Sequence, residues 1–187
     1  MNFEDIINDF WRYVKENEIE LYNEFSLQHE LGIFLRSKLP NYIIQFERNT
    51  SFFGLKNIPT IKKEIDIVIY IPNMTEKYAI EIKYPRNGQY PEQMYSFVKD
   101  IVFMEQLKKN GFNGTYVLTV VDDKNFYSGK CSQENIYSYF RGNKNITGKI
   151  CKPTGTNKNV EYVEVVSNYE IKWKTNCSGQ YYYMLII

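Results

Sequence analysis

The sequence predicts a mixed α/β fold, in the order α-α-β-β-β-α-β, with an N-terminal helix ahead of the core and a β-rich C-terminal extension. Three observations carry this. Apolar residues recur at helical spacing near the N-terminus and again at 91–110. Between those stretches, "KKEIDIVIYIPNMTEKYAIEIKYP" (62–85) holds two isoleucine-rich runs of strand length joined by a short polar turn. The segment "GTYVLTVVDD" (114–123) then reads as a further buried strand.

Each element has a local reason. Phe3, Ile6, Ile7, Phe10, Trp11 and Val14 give residues 3–16 an apolar stripe. A second helix is expected to start at Ser26, a good N-cap, and to end before Pro40, which cannot continue it. Its apolar face is Leu27, Leu31, Phe34 and Leu35, and Glu30 lies about 40° from Phe34 at the border of that face. "YIIQFERN" (42–49) reads as a strand, and "TSFFGLKNIPT" after it as irregular. The long helix runs through Met94, Phe97, Val98, Ile101, Val102 and Leu107 and closes at Asn110-Gly111. Beyond residue 123, glycines suggest turns, and "VEYVEVV", "YEIKWK" and "YYYMLII" suggest two or three short strands.

Size and composition narrow the class. At 187 residues the chain fits a single domain, with a core at about 20–123 and a basic, β-rich extension at 124–187. A hydrophobic share of 43% is ample for a packed core and excludes a disordered chain. No apolar run approaches the roughly 20 residues that span a bilayer, and the acidic, amphipathic start is unlike a secretory signal, so a cytoplasmic protein without membrane partners is expected. Cys131, Cys151 and Cys177 are too scattered for a zinc or disulfide framework, and His29 alone excludes a multi-histidine centre within one chain. His29 itself reads as a helix-surface residue.

Net charge is +1, but it is unevenly spread. Residues 1–123 hold 14 basic against 18 acidic side chains, and residues 124–187 hold 9 against 4. Lys124, Lys130, Arg141, Lys144 and Lys149 stand among tyrosines and phenylalanines, a mixture suited to phosphates and unpaired bases and equally to an ordinary basic surface.

The hairpin carries the chemistry. Period-two alternation puts Glu64, Asp66, Val68 and Tyr70 on one face of the first run, and Ile65, Ile67 and Ile69 on the other. In the returning run Ala79, Glu81 and Lys83 share a face. The turn brings Asp66 opposite Glu81 or Lys83, so that two carboxylates and an ammonium share one wall. Two carboxylates can hold a hard divalent cation such as Mg²⁺, and an adjacent lysine can orient the attacking water. A plainer alternative is a cross-strand salt bridge on an exposed face. Lys99, Asp100 and Glu105 read mainly as solvated charge on the long helix.

Asp66, fourteen intervening residues and then Glu81-Ile82-Lys83, with Glu30 on an earlier helix, resembles the PD-(D/E)xK nuclease superfamily over roughly residues 26–122. "YSFVKDIVFMEQLKKNGFNGTYVLTVVDD" is similar to the helix-then-strand segment of its small restriction-endonuclease-like members. The resemblance implies a restriction-endonuclease-like sheet with an α-β-β-β-α-β core, Asp66 and Glu81 as metal ligands, Lys83 as catalytic lysine and Glu30 as an accessory acid and third ligand. It implies a Mg²⁺- or Mn²⁺-dependent endonuclease acting on DNA, with RNA not distinguished, in a restriction or defence role. A homodimer would serve double-strand cleavage. The chain departs from the pattern in reading Glu-Ile-Asp without the proline, and it has no Gln-x-x-x-Tyr helix of the exonuclease-like branch. Alternatives on the same fold are a structure-selective resolvase or repair nuclease, and an inactive nucleic-acid-binding or interaction module.

Overall fold

In the computed structural model, which describes residues 2–132 and 135–187, the predicted order of elements is followed from the first helix to the fourth strand. Helix α1 (Phe3–Glu16) is capped by Asn2 and buries Phe3, Ile7, Phe10, Trp11 and Val14 on one stripe. Each fully buried side chain of this size contributes about 1.5–3 kcal/mol. Helix α2 (Glu24–Lys38) begins two residues earlier than Ser26. Asn23 is the cap: it accepts from the Ser26 N–H at 2.8 Å while its own N–H donates to the Ser26 hydroxyl at 3.0 Å. This reciprocal box satisfies two backbone donors where Ser26 alone would satisfy one.

Strand β1 (Ile43–Asn49) leads through a 3₁₀ turn closed by Gly54 at φ 82°, then an irregular segment, into β2 (Glu64–Tyr70) and β3 (Lys77–Lys83). Helix α3 (Tyr90–Lys109) carries Pro91 in its first turn, where no N–H is required, and hands over to β4 (Gly114–Val121). β3 and β4 pair in parallel, which is why a full helix separates them.

The extension contributes β-structure in two places. After a short helix α4 (Tyr137–Phe140), β5 (Ile146–Cys151) and β6 (Tyr162–Tyr169) form an antiparallel ribbon. The chain then returns to the main sheet as β7 (Lys174–Thr175) and β8 (Tyr181–Ile186), β8 lying antiparallel to β4. Only two residues of "YEIKWK" pair as strand. Trp173 is drawn inward, its indole N–H donating to the Phe140 carbonyl at 2.8 Å and its ring edge-on to Tyr183.

Among the described residues the main sheet has the order β1-β2-β3-β4-β8-β7. One face meets α1 and α2 through Ile67, Ile69, Ile80, Ile82, Leu118 and Val120. The other meets α3 and the ribbon, where Phe97, Ile101, Val117, Ile150 and Val163 share a core. β4, central, is buried along all eight residues. No helix among the described residues is long and apolar enough to cross a membrane.

Candidate active site: a carboxylate and lysine cluster where the sheet splits

The central hairpin separates at the residues singled out above. β2 and β3 pair from Tyr70↔Lys77 to Ile67↔Ile80. β1 stays paired with β2 as far as Glu64, and β4 with β3 as far as Lys83. The sheet therefore opens between its second and third strands. Side chains replace the missing ladder: the Asp66 N–H donates to Glu81 Oε1 at 3.3 Å, and the Ile82 N–H donates to Asp66 Oδ2 at 2.7 Å. From α2, the Gln28 amide donates to the Asp66 carbonyl and to Glu47 Oε1, both at 2.7 Å.

The split corrects the expectation of a single shared wall. Val68, Tyr70 and Ala79 face α3, while Ile67, Ile69, Ile80 and Ile82 face α1 and α2. Strict alternation would place Ile65 with Ile67, but Ile65 lies in the α3-side core. Alternation fails at Asp66, whose carboxylate turns toward β3 rather than standing on one face. Asp66 lines a recess of about 180 Å³ beneath α2, with Glu24, Gln28 and Glu47. Lys83 lines a cleft of about 440 Å³ between α3 and β6, with Lys62, Lys99, Asp100 and Tyr162. Glu81, with no exposed surface, stands between the two.

Besides Glu24, two further groups join that the sequence did not assign to the site. Lys62, just before β2, places its ammonium against Glu81 Oε2 and 3.1 Å from Asp100 Oδ1. Asp100, read from the sequence as mainly solvated, is only 1% exposed because it lies on the sheet-facing side of α3. Lys83 Nζ donates to the Ile82 carbonyl at 3.0 Å, sits 3.4 Å from Glu24 Oε1 and approaches Asp100 Oδ2 at 3.8 Å. No hydrogen-bond partner reaches buried Asp100 Oδ2 among the described residues.

Burial and crowded charge tune this cluster. Burial lifts the Glu81 carboxyl well above its ordinary range, the charges of Asp66 and Asp100 add to the rise, and Lys62 opposes it. Asp100 rises for the same first reason against the pull of Lys83 and Lys62. For Lys83, burial disfavours the ammonium, but Asp100, Asp66 and Glu24 outweigh it and the net shift is upward. Lys62 is held still more firmly protonated: Asp100 and Glu81 overcome its burial.

The structure does not bring Glu30 to the cluster. Its carboxylate meets the exposed His29 ring at 3.4 Å. Gln28, two residues away and so about 200° around the helix, is the side chain that faces Asp66, and Glu24 lies one turn before it on the same side. The spacing i, i+4 relates Glu24 to Gln28, but nothing in the sequence distinguishes them from other polar helix residues.

The basic residues of the extension divide. Arg141 is spent internally, donating to the carbonyls of Asn125 and Lys130 and lying 3.8 Å over the Tyr137 ring. Lys124 and Lys130 are exposed. Lys144 and Lys149, with Lys158, line a cleft of about 610 Å³ between α4, the ribbon and the start of α3. The Lys149 ammonium lies 4.2 Å from the centre of the Tyr162 ring, which also borders the cleft at Lys83.

Fit to a divalent cation can be judged from the donors. Carboxylate oxygens at Asp66, Glu81 and Asp100 are the right kind for Mg²⁺ or Mn²⁺, and Asp100 Oδ2 accepts no hydrogen bond among the described residues. As they stand, no group of three or more His, Cys, Asp or Glu side chains among the described residues is arranged to hold a metal ion. The Lys62 ammonium lies between Glu81 and Asp100. Comparison of the chain with protein-family models, curated proteins and solved structures returns no match.

Proposed function

We propose that this chain is a divalent-metal-dependent nuclease hydrolysing DNA phosphodiester bonds, on a restriction-endonuclease-like sheet. The observation that carries the reading is the buried charge cluster where the sheet opens: Glu81 and Asp100 share the Lys62 ammonium, Lys83 approaches Asp100, and the Asp66 carboxylate turns toward β3. Fold stability gives no reason to concentrate so many charges in one buried place, since a well-packed apolar cluster is usually as stable. Perturbed, clustered titratable groups beside a cleft mark a candidate reaction site.

In this reading Asp66 and Glu81, with Asp100 beside them, would hold the cation. The chemistry a divalent cation supplies there is neutralisation of phosphate charge and acidification of a water. Lys83, firmly protonated, orients the attacking water and offsets charge building on the phosphate. Lys99 and Tyr162 border the cleft where a sugar-phosphate chain would lie. A restriction or defence role rests on analogy with the superfamily.

A second reading is a nucleic-acid-binding or interaction module on the same fold. The Lys62 ammonium between Glu81 and Asp100 favours it, because an internal cation can neutralise those carboxylates without metal.

Incubating the purified protein with plasmid and single-stranded DNA separates the two. Cutting in Mg²⁺ or Mn²⁺, none in EDTA, and a loss on the order of 10²-fold or more in Lys83→Ala with an unchanged circular dichroism spectrum is the expected result. Binding without cutting under every metal condition would leave the module reading standing.

A further inference from the structure

We propose that Lys62 is a resident cation that closes the carboxylate site and competes with a divalent metal for Glu81 and Asp100. The inference rests on the metal-dependent reading above. It follows from which groups are anchored in the core and which one reaches solvent. Glu81 and Asp100 are anchored on β3 and in the middle of α3, both with essentially no exposed surface. Lys62 belongs to the irregular segment between the 3₁₀ turn and β2, and its side chain is 30% exposed. Its ammonium is the part of the cluster that can give way to another cation from the solvent side.

Around Lys62 the segment is tied by a few single hydrogen bonds, among them the Thr50 N–H to the Lys63 carbonyl at 2.8 Å. The Ile61 N–H donates to Gln106 Oε1 at 2.8 Å, and the Thr60 hydroxyl donates to the Lys62 carbonyl at 2.6 Å. Lys83 does not share the plugging role, because it is engaged by Glu24 and the Ile82 carbonyl. Charge favours the exchange. Among the described residues Glu81, Asp100 and Glu24 pair with Lys62 and Lys83, and replacing one ammonium with a divalent ion removes one further unit of uncompensated negative charge.

Calorimetric titration with Mn²⁺ of the wild type, Lys62→Gln, Lys62→Arg and Glu81→Gln tests the proposal. Lys62→Gln should bind at least about tenfold more tightly than the wild type. Lys62→Arg should stay as weak as the wild type, and Glu81→Gln should lose the binding. Equal or weaker affinity in Lys62→Gln overturns the proposal. Should that variant not fold, the wild type supplies the second measurement: saturating Mn²⁺ should speed amide hydrogen exchange in residues 55–63, and unchanged exchange there is equally fatal. Metal-dependent cutting by the wild type, combined with no gain in Lys62→Gln, removes the plug and leaves the nuclease. Absence of Mn²⁺ binding in all four proteins, with no cutting, removes both.

Discussion

Glu81 is a carboxylate with no exposed surface, and its two oxygens are taken by a backbone N–H and a lysine. Its neighbour Asp100 carries the same burden from the helix side. Burying either charge is tolerable only while its cations stay in place. Asp100→Ala should therefore destabilise the fold, even with no change in cleft shape, by leaving Lys62 and Lys83 facing fewer carboxylates. The expected loss is about 2–3 kcal/mol in urea unfolding, at or below the low end for a broken buried pair because Lys62 is partly exposed. A loss within measurement error would show that the cluster is solvated and that its electrostatics carry little weight. At this scale the sequence told unequally. Asp66, Glu81 and Lys83 were legible because acidic residues inside isoleucine-rich strands are conspicuous. Asp100 was not, since one aspartate among lysines and glutamates on a helix resembles any solvated face.

At the scale of elements, the split between β2 and β3 does the positioning. Continuous pairing through Asp66 would have left its carboxylate on one sheet face. The loss of pairing instead lets it reach the Ile82 N–H, and lets Glu81 reach the Asp66 N–H. Helix α2 supports the split by presenting Gln28 to the freed Asp66 carbonyl, so the start of α2 sets where Gln28 stands. The cap at Asn23 is accordingly part of the site's foundation. Asn23→Ala should cost about 1 kcal/mol, read as a lower urea midpoint with unchanged slope. Ser26→Ala should cost less than Asn23→Ala if Asn23 is the cap, and the reverse ranking would restore Ser26 to that role. Helix periodicity placed α2 correctly, but choosing between two competent caps three residues apart needed the hydrogen bonds themselves.

At the scale of the molecule, tyrosine is one reservoir of pH-dependent stability outside the cluster. Hydrogen bonding to Glu76 raises the Tyr42 phenol to about 12, and burial raises Tyr95 and Tyr169 to about 12. A phenol raised in the fold is held neutral there. Its contribution is complete below about 10, the value of an unfolded tyrosine, and is lost as pH rises through about 12. Melting temperature should fall between pH 10 and 12, with Tyr42→Phe reducing the fall. A decline finished by pH 10 would contradict this assignment. The extension also belongs to this scale: β8 pairs with β4 and the ribbon walls the cleft at Lys83, so residues beyond 123 complete both the sheet and the candidate site.

The amino-acid order by itself determined the succession of helices and strands, the acidic hairpin and the lysine that follows it. Those features are written in neighbours two to four residues apart, where alternation and helical spacing act. Only the tertiary structure decided that Lys62, Asp100 and Glu24 join them, that Glu30 does not, and that the sheet opens at Asp66. Such meetings depend on how layers pack at a distance, and spacing along the chain carries no record of which polar side chain a docked helix or loop will turn inward.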